Sequence, residues 1–126
     1  MQGLIEAIAN AIATAEGFFV QGSLPERNNN PGDLRAAPWL LHPVVGGGFW
    51  QASSVGAGVA GLLHQIALDI ARGQSLRQLI YSWAPPSDGN NTANYLNETV
   101  RRLAAQGWII DPEKPLQEYL EVTLVP

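Results

Sequence analysis

The stretch Leu4–Gly17, LIEAIANAIATAEG, carries the strongest structural signal in the chain. Its apolar residues recur at the spacing of one helix face: Leu4, Ile5, Ile8, Ile12 and Ala15. This spacing predicts a helix over residues 2–15, which Gly17 ends. Because successive helical residues are about 100° apart, we expect Glu16 to lie on or beside the core-facing side.

Glu16 joins this helix to a turn-rich segment, residues 17–54. Partial burial favours the neutral form of a carboxylic acid, and a general acid must be neutral before it donates its proton. The residues alone therefore allow two interpretations of Glu16. It is a catalytic acid, or it is an ordinary helix-terminal glutamate whose side chain bends out to water.

Length and composition limit the class of protein. A chain of 126 residues with 46% hydrophobic residues suits one domain over residues 1–126, and we expect a monomer. The net charge of -4, with no basic cluster beyond Arg101-Arg102, argues against a nucleic-acid partner. There is no cysteine, and His42 and His64 lack partners at metal-ligand spacing. We therefore expect neither a metal site nor a cofactor.

The apolar N-terminus resembles a secretion signal only superficially. Residues 4–20 include Glu6 and Glu16 and have no positively charged region before them, so we predict that they belong to the mature fold. No stretch reaches the roughly 20 uninterrupted apolar residues of a membrane span.

Residues 17–54 are rich in Gly, Pro and Asn and show no helical periodicity. Structureless segments of this length are uncommon in small domains and are usually functional or locally sheet-forming. We predict a hairpin of residues 39–45 and 49–52 around the glycines at 46–48. Asn amides suit the hydroxyl and N-acetyl groups of sugars, although turn formation explains Asn28 and Asn29 equally well.

The remainder of the chain predicts helices. A central helix follows Ser53-Ser54 and stops at Arg72-Gly73, with an apolar stripe of Val59, Leu62, Leu63, Ile66 and Ile70. Ser75 caps a helix that runs to Trp83, and another helix passes through Tyr95 and ends near Gly107. A last helix is predicted from Asp111 onward, with its apolar residues at Leu116, Leu120 and Leu124.

Five motifs stand in an order that resembles a known family. They are Glu16-Gly17-Phe18, Asn29-Asn30-Pro31-Gly32-Asp33-Leu34-Arg35, Phe49-x-x-Ala52-x-x-x-Gly56, Gly73-Gln74-Ser75-Leu76 and Trp83-Ala84-Pro85-Pro86-Ser87-Asp88-Gly89-Asn90-Asn91-Thr92-x-x-Tyr95. Over residues 9–103 the chain resembles small lysozyme-like proteins of phages and bacteria, which are related to soluble lytic transglycosylases and goose-type lysozymes. The resemblance implies a mostly α (α+β) lysozyme-like helical domain with a small β region beside the active-site cleft.

The resemblance also implies a substrate and a reaction. The substrate would be the glycan strands of peptidoglycan, cut at the β-1,4 bond between N-acetylmuramic acid and N-acetylglucosamine. Glu16 matches the position of the family's acid and would protonate the glycosidic oxygen. We favour a lytic transglycosylase, which needs one acid. A muramidase normally needs a second carboxylate, for which Asp33 and Asp88 are candidates, although a turn-capping role is favoured for both.

Five residues are predicted to bind substrate: Asn30, Trp50, Trp83, Asn91 and Tyr95. The family pattern places Tyr95 near the acid. Trp39 and Trp50 flank the glycine-rich turn and offer faces for sugar rings, whereas core packing is the competing interpretation for Trp83 and the favoured one for Trp108.

A second function class stays open, namely a catalytically inactive glycan-binding or virion structural module with the same fold. Because no secretion signal is seen, action on the bacterial cell wall would require holin-type release or carriage in a virion.

Overall fold

The structure is a computed structural model that describes residues 3–35, 44–45 and 48–120. Within these ranges it is mostly helical, as predicted, with one small antiparallel sheet. The α-helices are α1 (Leu4–Ala15), α2 (Leu24–Arg27), α3 (Val55–Ala71), α4 (Leu76–Trp83) and α5 (Thr92–Ala105). The strands are β1 (Val44–Val45) and β2 (Phe49–Trp50), and 3₁₀-helices cover Pro86–Asp88 and Leu116–Tyr119.

Contacts within the chain divide it into two compact units. We call residues 9–65 the loop-rich unit, and residues 1–8 together with 66–126 the helical unit. This division into compact units does not test whether residues 1–126 form the single domain expected from the sequence, which stays a prediction.

Helix α1 has the predicted apolar face. Leu4, Ile8 and Ile12 are buried, and alanines between them complete the face. Ile5 is only half-buried, and Ala15 is exposed where the helix ends. The predicted helix is therefore confirmed, and its buried face differs from the predicted stripe because it also includes alanines on either side of the stripe: Ala7, Ala9, Ala11 and Ala13.

The loop-rich unit contains the predicted hairpin. Val44 pairs with Trp50 and Val45 with Phe49, and Arg35 adds an isolated bridge to Phe49 on the other side. The hairpin is confirmed for these residues. Residues 39–43 of the predicted first strand, including Trp39 and His42, lie outside the described residues.

Helix α2 was not predicted, because residues 17–54 lack helical periodicity. Ser23 caps it by accepting a hydrogen bond from the Glu26 N–H at 3.3 Å, and Pro25 lies in its first turn. Glu26 Oε1 in turn accepts a hydrogen bond from the Gly22 N–H at 3.4 Å. A Ser-x-x-Glu pattern with an early proline is a helix-start signal, and it does not depend on periodicity.

Helix α3 has the predicted bounds and most of the predicted buried face. Leu62, Ile66 and Ile70 are buried, whereas Val59, also predicted to lie in the core, is 37% exposed. The helix turns Gly58 toward the Asn29 backbone, and this close approach moves Val59 away from the core.

Helices α4 and α5 of the helical unit pack against each other. A capping box begins α4, since Ser75 Oγ accepts from the Gln78 N–H and Gln78 Oε1 accepts from the Ser75 N–H. Thr92 Oγ1, at the start of α5, donates a hydrogen bond of 2.6 Å to the Ala84 carbonyl. The bond between Thr92 and Ala84 joins the two ends of the connection between α4 and α5.

The last predicted helix is wrong over the described residues. Residues 116–119 form a 3₁₀-helix, Leu120 is 38% exposed, and Leu124 lies outside the described residues. The Leu116 N–H donates to the Gln74 carbonyl at 2.9 Å, beside a bridge between Ser75 and Pro115. The Leu116 N–H is therefore bonded to another segment and not to the carbonyl four residues before it, as an α-helix would require.

Across the described ranges, no helix combines the length and the apolar character that crossing a membrane requires.

Candidate active site

Glu16 occupies the C-cap of α1, and the backbone on both of its sides is hydrogen-bonded. The Glu16 N–H donates to the Ile12 carbonyl at 2.8 Å. Gly17 then adopts a left-handed conformation (φ +82°), and its N–H donates to the Thr14 carbonyl. The Phe18 N–H donates to the Ala13 carbonyl at 3.0 Å. This pair of bonds is a Schellman motif, which fixes the position of the Glu16 backbone.

Glu16 is half-buried, and its Cα lies beside the last carbonyls of α1, which give that helix end a partial negative charge. Acidic side chains are normally favoured at the opposite end of a helix. The role of Glu16 as a proton donor stays a prediction.

The turn after Glu16 is tied to α2. The Gly17 carbonyl accepts hydrogen bonds from the Val20 N–H at 3.0 Å and from Ser23 Oγ at 2.7 Å. Ser23 also caps α2, so one side chain joins the turn to that helix. The segment 16–23 therefore has a defined shape despite its high content of glycine.

Asn30 is fully buried, and its amide bonds to the backbone. Asn30 Nδ2 donates to the carbonyls of Leu34 at 3.0 Å and Trp50 at 2.9 Å, and Asn30 Oδ1 accepts from the Leu34 N–H at 3.0 Å. Both Nδ2 protons are used. The predicted contact of Asn30 with sugar is therefore replaced by a positioning role, in which Asn30 holds residues 30–34 against β2.

The carboxyl group of Asp33 lies in an energetically unfavourable environment. Its backbone is left-handed (φ +49°), and its Oδ1 is buried with no hydrogen-bond partner among the described residues. Burial raises the pKa of the Asp33 carboxyl, and the nearby Arg35 partly offsets this increase. No side-chain bond of a turn cap is seen for Asp33 in this part of the chain, which removes the main support for the capping interpretation.

Trp50 does not present a face to sugars as predicted. It is 4% exposed, and its indole N–H is buried with no partner among the described residues. Its backbone N–H donates to the Leu34 carbonyl at 2.8 Å. Trp50 is therefore a buried residue whose backbone is bonded to the segment that Asn30 holds.

The other predicted site residues lie in the helical unit: Trp83, Asp88, Asn91 and Tyr95. Trp83 is the last residue of α4 and is half-buried, as is Tyr95 in the first turn of α5. Asn91 is exposed and caps α5, since its Oδ1 accepts from the Asn94 N–H at 3.2 Å. Asp88 is exposed at the end of the 3₁₀-helix. Their predicted contacts with substrate stay predictions.

The sequence-based reasoning missed two residues near Glu16. Ser23 was missed with α2, although its position before Leu24-Pro25-Glu26 is a cap signal. Phe19 was not considered, although it is an aromatic residue in the turn that follows the acid, and it is 67% exposed.

Among the residues that the structure describes, no group of three or more His, Asp or Glu side chains is arranged to hold a metal ion. Comparison with known proteins gives no match to the chain from any family model, curated protein or solved structure.

Proposed function

We propose that the chain cleaves the β-1,4 bond between N-acetylmuramic acid and N-acetylglucosamine in peptidoglycan, with Glu16 as the general acid. The observation that carries the proposal is the half-buried Glu16 at the negatively polarised end of α1, held by a Schellman motif. The substrate class rests on the ordered motifs that resemble lysozyme-like proteins. A lysozyme-like arrangement with a cleft beside the β region belongs to the same proposal.

In the proposed reaction, Glu16 donates its proton to the glycosidic oxygen while the bond to the anomeric carbon breaks. The sugar then carries positive charge in an oxocarbenium-like state. In a lytic transglycosylase the 6-hydroxyl oxygen of the same sugar bonds to the anomeric carbon and gives its proton to the Glu16 carboxylate, which leaves an anhydro end. Such a reaction needs no second carboxyl group, and it remains the form that we favour.

Hydrolysis is the second candidate, and Asp33 gives it specific support. A muramidase normally needs a second carboxyl group, and Asp33 supplies one that is half-buried and whose pKa is raised by burial. Asp33 also belongs to the same compact unit as Glu16, whereas Asp88 does not. If the chain is a muramidase, we therefore expect Asp33 rather than Asp88 to act with Glu16.

The third candidate is a module that binds glycan without turnover, in a virion or at the cell wall. For an active enzyme we propose holin-type release or carriage in a virion as the route to peptidoglycan.

Digestion of purified peptidoglycan tests the proposal. We would compare the wild-type chain with Glu16→Gln and with Glu6→Gln, which changes an exposed glutamate of the same helix. We expect soluble muropeptides from the wild type and Glu6→Gln, and at least about a hundredfold loss with Glu16→Gln. Mass spectrometry separates anhydro ends, which indicate a transglycosylase, from reducing ends, which indicate a muramidase. Equal activity of all three chains would contradict the role of Glu16.

A further inference from the structure

Phe19 is a large apolar side chain that the fold leaves in water. Its ring is 67% exposed, and the neighbouring Val20 is 63% exposed. Apolar surface in contact with water is unfavourable, although single exposed apolar residues are common and need no explanation by themselves. The position and the support of Phe19 distinguish it from such residues.

The position of Phe19 is limited by the chain. Phe19 is three positions after Glu16, so the two Cα atoms are at most about 11 Å apart. The hydrogen bond from the Val20 N–H to the Gly17 carbonyl closes the turn and brings these residues nearer than an extended chain would. A sugar polymer whose glycosidic oxygen contacts Glu16 therefore passes within a few sugar rings of Phe19.

The ring of Phe19 is supported from one side. The rings of Phe18 and Phe19 are 5.4 Å apart and meet edge to face at 75°. Phe18 is half-buried, and its N–H is part of the Schellman motif of α1. Phe19 is thus attached to the same motif that holds the acid, and little ordering is needed before a ligand contacts its ring.

The size of the patch argues for a sugar rather than a protein. A stable protein interface buries about 800 Å² on each partner, and two side chains of this size supply only a fraction of that area. The two residues that follow them in the chain, Gln21 and Gly22, are exposed and are polar or small. One exposed aromatic face matches one pyranose ring, which has an apolar face and a polar rim.

We infer that Phe19 forms a stacking platform for one sugar ring of a β-1,4-linked N-acetylated glycan bound at Glu16. The inference rests on the proposed function and adds a specificity-determining residue to it. Phe19 does not take part in the chemical step, so its loss weakens binding and leaves the reaction itself intact.

Binding of chitotetraose to chains that carry Glu16→Gln, measured by calorimetry, tests the inference. Adding Phe19→Ala should weaken binding by about three- to tenfold, whereas Phe19→Trp should keep it within about twofold. The matched control is Ile109→Ala, which shortens an apolar side chain that is 78% exposed in the helical unit and should change nothing. Equal affinity of the Phe19→Ala and Ile109→Ala chains, or no binding by the parent chain, would overturn the inference.

Digestion of peptidoglycan by the otherwise wild-type chain separates this inference from the proposed function. Phe19→Ala should raise KM and leave kcat within about twofold of the wild-type value. If the wild type cleaves peptidoglycan and Phe19→Ala has an unchanged KM, the stacking platform is contradicted and the proposed enzyme is supported. If binding of chitotetraose depends on the aromatic ring but no chain cleaves peptidoglycan, the platform is supported and the proposed enzyme is contradicted.

Discussion

Gly58 of α3 lies so close to Asn29 that a β-carbon on Gly58 would come within 1.7 Å of the Asn29 carbonyl oxygen. The obstacle is backbone, which cannot rotate away as a side chain can. The contact joins α3 to the segment that continues into Asn30 and Asp33, within the loop-rich unit. The position of that segment thus depends on the absence of a side chain at residue 58.

We expect Gly58→Ala to destabilise the chain by at least about 3 kcal/mol, because α3 or residues 28–31 must move. Gly56→Ala is the matched control in the same helix. A β-carbon on Gly56 would meet only Ser54 Oγ, at 3.9 Å, so the better helix propensity of Ala should be neutral or stabilise by up to about 1 kcal/mol. Urea unfolding measures the free energy of unfolding of both variants. Similar free energies for the two would disprove the role of the contact between Gly58 and Asn29.

The glycine after Glu16 has a counterpart that allows a second matched test. Gly17 and Gly73 both have a left-handed backbone at the end of a helix, with φ of +82° and +80°, and added β-carbons would meet no atom within 4 Å. Ala at either position should therefore cost about 1–2 kcal/mol through backbone strain alone. Only Gly17→Ala should also reduce glycan cleavage, because it disturbs the motif that orients Glu16. Equal losses of activity in Gly17→Ala and Gly73→Ala would indicate that the lower stability of the chain reduces cleavage, and not a changed orientation of Glu16.

Asn30 provides a test of the positioning role. Asn30→Asp keeps the shape but replaces Nδ2, so that an oxygen faces the carbonyls of Leu34 and Trp50. The buried Trp50 carbonyl then loses this donor, the Leu34 carbonyl keeps only the Trp50 N–H, and both carbonyls face a carboxylate oxygen. We therefore expect a loss of about 3 kcal/mol or more in the free energy of unfolding. Asn97→Asp, at an exposed position of α5, should change stability by less than about 0.5 kcal/mol. If Asn30 instead served only to contact sugar, Asn30→Asp would affect binding and leave stability unchanged.

Asp33 should make stability depend on pH. Its folded-state pKa is raised above the ordinary value of 3.8, mainly by burial, so the folded chain holds the proton more tightly than the unfolded chain. Stability from this group is then fully present below the unfolded pKa and is lost as pH rises through the folded pKa. Asp33→Asn should be more stable than the wild type at pH 7, since Asn also tolerates a left-handed backbone, and the difference should shrink near pH 3.

Unfolding midpoints of Asp33→Asn and the wild type at pH 7 and pH 3 measure this difference. Asp88→Asn, which removes the same charge from an exposed position, is the control. If Asp33→Asn is less stable than the wild type at pH 7, the buried oxygen of Asp33 does not destabilise the folded chain as we expect.

The helices that the sequence predicts well are those in which periodicity and end signals agree. The apolar repeat before Gly17 and the Ser75 capping box each predict an element that the structure contains. Periodicity cannot show which face of α3 a neighbour approaches, and so Val59 was placed in the core while the close contact is made by Gly58.

Candidate site residues were harder to predict, for a related reason. Asn30 and Trp50 belong to residue types that often contact sugars, and no property of the residue type reveals that backbone carbonyls already occupy an amide or that a strand turns an indole inward. The helix predicted from Asp111 onward is wrong because this segment pairs with Gln74, which is distant in sequence, and a local pattern cannot show such pairing. The position of Glu16 at the end of α1 is easier to predict, because the apolar repeat before it and the glycine after it are both local signals, whereas its catalytic role stays a prediction.

The Schellman motif at Glu16 also affects how the free energy of substrate binding is used. Ordering one backbone residue costs about 1–2 kcal/mol, and here the hydrogen bonds from Glu16, Gly17 and Phe18 to α1 meet that cost when the chain folds. If Glu16 is the proton donor that we propose, a bound glycan does not have to order the backbone of that donor, and its contacts remain available to distort the sugar ring toward the transition state.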